Sequence, residues 1–409
     1  MRILIIGGGG REHALAWKLA QSKGVEVFAA PGNPGIAEVG TCLPVSSGLA
    51  GAAEEIAADL TVVGPEAPLV TGVVDEFRAR GLKIVGPDRQ MARLEGSKVF
   101  AKNFFMQRMI PTADYCMAEN ESEARKAIDR FGFPVVLKAD GLAAGKGVIV
   151  ARDRAEAEAS LASLKGRLVI EEFLRGEEVS FIALCDGRDV VPLAATQDHK
   201  AVFDGDTGPN TGGMGAYSDG GLLSEAQTAE ILQRVIYPTV EATGFTGFLY
   251  AGLMMTAAGP KVLEFNVRLG DPETQPLMHR MESDFVPALT AAAEGRLREV
   301  KLAWRTGPSV CVVLASAGYP GAYQTGQPIT GMAEAQAAGA TVFQAGTRRG
   351  ESGALETAGG RVLGVAAGGP DLKTAIAGAY RAVEKIRFEG MHYRHDIGQK
   401  GLARHARGG

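Results

Sequence analysis

The segment Lys138-Ala139-Asp140-Gly141-Leu142-Ala143-Ala144-Gly145-Lys146-Gly147 sets two lysines around a glycine-rich stretch. Lysine meets phosphate as a point charge, and glycines let backbone amides reach an anion. This is not a Walker A loop, because Gly147 stands where that motif needs Ser or Thr. A second constellation is Glu264-Phe265-Asn266-Val267-Arg268. On a strand, alternate residues share a face, so Glu264, Asn266 and Arg268 line up while Phe265 and Val267 point to the core. A carboxylate and an amide oxygen are hard ligands suited to Mg²⁺ next to substrate phosphates, and the neighbouring guanidinium can clamp phosphate or carboxylate. A third is Gly7–Gly10 with Arg11 and Glu12, where backbone N–H groups and a helix dipole favour an anion. It fails as a dinucleotide fingerprint. From Gly7 the frame puts Glu12 at the third glycine, from Gly8 it puts His13 there, and the second strand ends Ala29-Ala30-Pro31 without an acid. A phosphate-bearing substrate is expected there rather than NAD or FAD.

These residues need elements to hold them. Residues 2–6, 25–29, 60–63 and 82–85 read as short buried strands, each followed by a Gly/Pro loop, with helical patterns between them. That alternation predicts a doubly wound parallel sheet, with ligands beyond the carboxyl ends of its strands. From Ser97 the rhythm changes. Helices are expected at 98–109, 121–130 and 153–164, strands at 135–138, 148–151, 168–171 and 178–185, and a hairpin turn at Asp186-Gly187. Residues 197–221 read as one long polar loop, with His199 between Asp198 and Lys200, and loops of that length are usually functional. Residues 248–255 and 261–267 read as a hairpin and 295–308 as a linker. Strands at 309–317, 341–345 and 361–366 and a helix at 371–387 follow.

Composition narrows the class. Charged residues make up 22% and hydrophobic residues 46%, as in an ordinary globular protein, while 55 glycines are an excess that suits many tight turns. Net charge is −4 with no basic block, so a nucleic-acid partner is not expected. No apolar run is long enough to span a membrane, and Ile3–Ile6 is too short for a signal peptide. Cys42, Cys116, Cys185 and Cys311 lie far apart, which fits reduced, buried thiols. The six histidines show no metal spacing. A cytoplasmic monomer acting on small molecules is the expectation.

Taken in order, the motifs resemble the ATP-grasp superfamily and, within it, the phosphoribosylamine–glycine ligase (glycinamide ribonucleotide synthetase) family. The resemblance is carried by Gly7–His13, Val63–Leu69, Leu94–Lys98, Lys138–Val148, Glu171–Leu174, Gln197–Lys200, Asp206–Tyr217 (DTGPNTGGMGAY) and Arg268–Gln275 (RLGDPETQ). It implies an α/β and α+β multidomain chain: an N-terminal pre-ATP-grasp domain (1–97), a main ATP-grasp domain (98–111 and 173–302), a mobile lid (112–172) and a small mixed C-terminal domain (303–409). It also implies ATP with Mg²⁺ or Mn²⁺, and the joining of glycine to 5-phosphoribosylamine through glycyl phosphate in purine synthesis. Lys98, Lys138, Gly145, Lys146 and Gly147 would hold ATP phosphates. Glu171, Glu172, Phe173 and Leu174 would grip adenine, and Glu178 the ribose. Glu264 and Asn266 would take the metal. Arg268, Lys146 and Asp271 would act in catalysis. Gly8, Gly9, Gly10, Arg11, Glu12, Asn33 and Glu66 would bind phosphoribosylamine, with Asp204, Gly213, Arg268, Gly270 and Asp271 shaping the acceptor site. Two departures stand out: the loop Ser163–Arg167 is short, and residues 248–255 carry no metal carboxylate.

Overall fold

Strand β1 (Arg2–Gly7) is almost wholly apolar, and its burial on both sides explains the absence of alternation. It pairs in parallel with β2 (Glu26–Pro31) and β4 (Leu60–Val63); β3 (Thr41–Cys42) and β5 (Ile84–Val85) close the edges, in the order β3-β2-β1-β4-β5. The computed structural model describes residues 1–142 and 147–408. Helix α1 (Gly10–Leu19) starts two residues after β1, past Gly8 and Gly9. The two-residue β3 is too short to leave a periodic signal.

The segment from β6 (Tyr115–Ala118) to β9 (Leu168–Glu172) forms its own antiparallel sheet, β6-β9-β7-β8, with β7 at Val135–Ala139 and β8 at Val148–Ala151. The helices Glu121–Phe131 and Arg154–Ser163 bury Ile128, Ala157 and Leu161 in a separate small core beneath it. Both helices start on a side-chain cap: Asn120 accepts from the Glu123 amide and Asp153 from the Glu156 amide.

The third sheet differs from expectation. The stretch 197–221 is not one loop. It contains β12 (Thr196–Asp198), the small hairpin β13 (Ala201–Phe203) and β14 (Thr207–Asn210), and β15 (Gly215–Ser218). β12 and β15 are laid into a nine-stranded sheet that also takes in β10 (Glu177–Asp186), β11 (Val190–Pro192), β16 (Thr246–Thr256), β17 (Gly259–Asn266), β18 (Ser309–Ala315), β19 (Thr341–Gln344) and β22 (Arg361–Gly368). β15 pairs with β18, Gly215 opposite Val312 and Ser218 opposite Ser309, so the sheet continues across residue 303. Two short strands, β20 (Thr347–Arg349) and β21 (Leu355–Thr357), form a side hairpin. Polar glycine-rich segments lack the apolar alternation that marks a strand, and here partners on both sides define them instead.

The C-terminal region also packs on helix α1. Phe343 meets His13 and Trp17 edge-on, at 5.6 and 5.7 Å between ring centres. The Gln344 amide donates to His13 Nδ1 at 2.8 Å. Burial pushes the His13 imidazole down from 6.5 to about 4. The unfolded chain therefore takes up a proton near pH 6.5 that the folded chain refuses. The stability this neutral ring supports is complete above pH 6.5 and is lost as pH falls toward 4, by about 1.4 kcal/mol per unit. A His13→Gln variant is expected to lose stability less steeply over that window in urea titrations; parallel pH profiles for the two proteins would remove His13 as the cause.

Candidate active site

One cleft of about 460 Å³ opens where the three sheets meet. That volume is in the range of small-molecule sites. Its floor is a lysine cluster. The helix Lys98–Gln107 starts on Ser97, whose side chain accepts from the Phe100 amide, and this aims Lys98 and Lys102 at the cleft one turn apart. Lys98 Nζ donates to the Gly141 carbonyl at 2.9 Å. Lys102 Nζ and Lys138 Nζ flank the buried Glu171 carboxylate at 3.2 and 3.0 Å, and Lys138 also donates to the Leu263 carbonyl at 2.8 Å. Burial pulls Lys102 down to about 8 even though Glu171 opposes it. Burial likewise lowers Lys98. Two ammoniums on one carboxylate, with Lys98 beside them, leave an excess of positive charge suited to a polyphosphate. Sequence reasoning missed Lys102; its spacing of four from Lys98 on a helix was the available signal. Glu171, expected at the adenine hinge largely through its backbone, turns its side chain to these lysines. Gly145 and Lys146 lie outside the described residues; Gly147 lines the cleft.

The hinge residues Glu172–Leu174 follow directly. The Glu172 carboxylate accepts from the Asp114 amide at 3.0 Å and from Lys261 at 2.9 Å, which fixes the crossing point between the sheets. Leu174 packs with Ala113 and Met254, and Phe173 borders the opening. With Val136, Val148 and Leu263 they give an apolar slot of the kind a purine ring needs. Glu178 stands at the mouth, 3.5 Å from Lys200.

β17 delivers the oxygen ligands. Phe265 and Val267 are core residues, and Glu264 and Asn266 face the cleft, as the strand period requires. Lys200 comes within 3.7 Å of Glu264. Burial alone would raise the Glu264 carboxyl, but Lys200, Lys138 and Lys98 outweigh it and hold it below its usual range. Asp198 behaves oppositely: burial and the acids Glu273, Glu178 and Glu264 push it up to about 7 against Lys200. Among the described residues no group of three or more His, Cys, Asp or Glu is placed to hold a metal. Two oxygen ligands are what a Mg²⁺ shared with phosphates asks of a protein, so the donor set fits.

Arg268 stands past the end of β17. It donates to Glu95 Oε1 at 2.8 Å and Asn266 Oδ1 at 3.1 Å, and Glu66 lies 3.5 Å from its Nε, which has no hydrogen-bond partner among the described residues. Glu95 was quoted in a motif but given no role; it orients this guanidinium. Asp271 accepts from Gln275 at 2.9 Å and sits 3.4 Å from Arg361, a residue of β22 that also donates to the Gly212 and Asp271 carbonyls at 2.7 and 2.6 Å. Nothing near Arg361 in the sequence pointed to this site.

Several expected substrate contacts have protein partners in the structure. Glu12 is 2% exposed, and its carboxylate accepts from the Gly9 amide and from Arg11 Nε, each at 2.5 Å. It lies under the loops so tightly that a Cβ on Gly64 would stand 2.0 Å from it. Asn33 donates to the Gly8 and Gln344 carbonyls and accepts from the Ile36 amide. Gly213 at φ +115° packs against Pro272, Gly270 packs against Glu273, and Asp204 pairs with His395 at 3.0 Å. None of these five lines the cleft, because each is engaged by protein neighbours. Gly8 packs on the Gly32 backbone, and Gly9 and Gly10 border Glu12, Asp271 and Gln275: a Cβ on Gly10 would come within 2.8 Å of Gln275 Nε2. Arg11 and Glu66 do line the cleft. His199 is 1% exposed, driven down to about 3 by burial, and stays outside it.

Comparison with known proteins gives the family. The chain matches the phosphoribosylglycinamide synthetase N domain over residues 1–95, the ATP-grasp (A) domain over 96–274 and the C domain over 309–400. It is 51% identical to a phosphoribosylamine–glycine ligase of Pseudomonas aeruginosa, over 99% of each chain. The crystal structure of a phosphoribosylamine–glycine ligase from Thermotoga maritima superposes with a TM-score of 0.84 at 37% identity, covering 97% of this chain and 100% of that one. A Hydrogenobacter thermophilus biotin carboxylase domain, solved with MgADP and bicarbonate, shares the fold alone at 17% identity, with a TM-score of 0.72 over 95% of this chain and 91% of that one.

Proposed function

The chain belongs to the phosphoribosylglycinamide synthetase family and is an ATP-dependent ligase that joins glycine to phosphoribosylamine in purine biosynthesis; from that premise we propose how its residues divide the work. A carboxylate is a poor electrophile at neutral pH. The γ-phosphoryl group of ATP passes to a glycine carboxylate oxygen, ADP leaves, and glycyl phosphate results. The amine of phosphoribosylamine then attacks the carbonyl carbon, the amide C–N bond forms, phosphate leaves with the C–O electron pair, and the amine proton is released. Such transfer depends on positioning and charge neutralisation.

The observation that supports this division is that Lys98, Lys102 and Lys138 face Glu264, Asn266 and Arg268 across one cleft. The lysines and Lys146 hold the polyphosphate, Glu171–Leu174 seats adenine and Glu178 takes the ribose. Glu264 and Asn266 hold Mg²⁺ or Mn²⁺, which supplies charge neutralisation on the phosphates when bound. Arg268 steadies the transferring group, and Asp271 receives the amine end of the acceptor. Residues 112–172 serve as the lid that keeps water from glycyl phosphate. The reading makes the protein a cytoplasmic monomer; no helix among the described residues is long and apolar enough to cross a membrane. ADP release measured with and without glycine plus phosphoribosylamine tests the division: release at full rate without glycine would overturn it.

Phosphoribosylamine's 5′-phosphate falls to the backbone of Gly8–Gly10 with Arg11, at the N-terminal end of α1. Gly10→Val pushes Gln275 away from Asp271 and narrows that approach. The KM for phosphoribosylamine is expected to rise at least about tenfold, an effect of roughly 1.4 kcal/mol, while the KM for ATP stays near wild type. Equal weakening of both, in a folded variant, would remove this loop from the acceptor site.

A further inference from the structure

Arg394 is a charged side chain with 0% exposure, far from the lysine cluster and assigned nothing so far. Its guanidinium donates to both Asp396 oxygens at 2.7 Å, to the Ala201 carbonyl at 3.1 Å and to Asp206 Oδ1 at 3.0 Å. The neighbouring residues repeat the pattern. Asp396 accepts from the Gly205 amide at 2.9 Å. The His395 amide and ring both meet Asp204, at 2.7 and 3.0 Å. Lys400 reaches Asp206 at 2.6 Å, and His392 Nε2 lies 2.9 Å from the Val202 carbonyl. Apart from the Arg394–Asp396 pair, which lies within the tail, every one of these contacts crosses from residues 392–400 to the β13–β14 hairpin.

That hairpin needs holding. Residues 203–209 are exposed, and Asp206 has a φ of +56°, in the left-handed region that a side chain with a Cβ enters only at a cost. From Asn210 at the end of β14 the chain runs on through Thr211 and Gly212, and all three line the cleft with Arg268 and Asp271. The hairpin has few apolar anchors of its own, and a fork of guanidinium hydrogen bonds fixes orientation as well as position.

We propose that residues 392–400, through Arg394, are a positioning latch that sets the acceptor loop 203–212 against the cleft. Arg394 touches no substrate; it acts through Asp206, Asp396 and Gly205. The proposal rests on the reading that the loop serves glycine and phosphoribosylamine rather than ATP. It also gives the Asp204 side chain its work, which is to hold the tail.

Steady-state constants for all three substrates test this, together with hydrogen exchange of the intact protein. Arg394→Lys keeps a charge and loses the fork. Its KM for glycine or phosphoribosylamine is expected to rise about tenfold or more with the KM for ATP unchanged, and amides of 203–211 should exchange faster while those of β1 and β10 do not. Should Arg394→Lys fail to fold, the exposed pair variant Asp204→Asn with His395→Gln carries the test, with a rise of about threefold expected in the same constants. Unchanged acceptor constants in whichever of these variants folds, or a parallel loss for ATP, would overturn the latch. Asn210→Ala separates the two readings. If it raises an acceptor constant while the latch variants do not, the latch fails and the loop's role stands. If Asn210→Ala leaves both acceptor constants unchanged, the loop's role fails and the latch with it.

Discussion

Glu264→Gln is expected to lower ligase turnover about 10²–10³-fold, the effect of removing one group aimed at charge that develops during transfer. The side chain keeps its size and its place opposite Gly252, so folding should be unaffected. What changes is charge. Glu264 is held ionised by Lys200, Lys138 and Lys98 against its burial. A neutral amide leaves those ammoniums as the dominant field and repels a cation. Asn266→Leu removes the second oxygen and also the acceptor for Arg268 at 3.1 Å, so its turnover should fall at least as far. The loss should be largest at limiting Mg²⁺ and partly recovered at high Mg²⁺, as expected for a carboxylate that shares the ion with phosphate. Near wild-type turnover for both variants at limiting Mg²⁺ would sink the assignment.

Lys138→Met is expected to cost both activity and stability. Its ammonium lies 3.0 Å from Glu171, a carboxylate 2% exposed, and Lys102 is the only other cation within 3.2 Å of it among the described residues. Removing one partner of a buried pair costs about 3–5 kcal/mol. Activity should fall about 10²-fold or more, with a higher KM for ATP, because the cluster loses one of the charges that face the polyphosphate. Glu171→Gln makes the contrast. Glu171 raises the pKa of Lys102, so its loss should move that lysine below its present value of about 8. The alkaline limb of ATP affinity should then shift to lower pH in Glu171→Gln. A Lys138→Met protein with wild-type KM for ATP and unchanged stability would show that the lysine serves neither purpose.

The parts of this site that are legible without a structure are those whose signal is local. β1, β4, the helix Lys98–Gln107 and the hairpin β16–β17 follow from apolar patterning and a two-residue period that puts Glu264 and Asn266 on one face. The motifs around Lys138, Arg268 and the acceptor loop suffice for the family, since each spacing reflects one loop or one strand. What the chain conceals is pairing at long range. Asp204, Glu12 and Asn33 carry the polar groups of substrate ligands, and only packing shows that His395, Gly9 and Gln344 already occupy them. The reverse holds for Lys102, Glu95 and Arg361, which look like ordinary charged residues until folding brings them to the cleft. β12 and β15 have no pattern of their own and become strands because β10 and β18 lie on either side. The physical reason is common to all of them. A period or a cap is written in neighbouring residues, whereas the identity of a side chain's partner, 188 residues away for Arg394 and Asp206, is set by the packing of whole sheets.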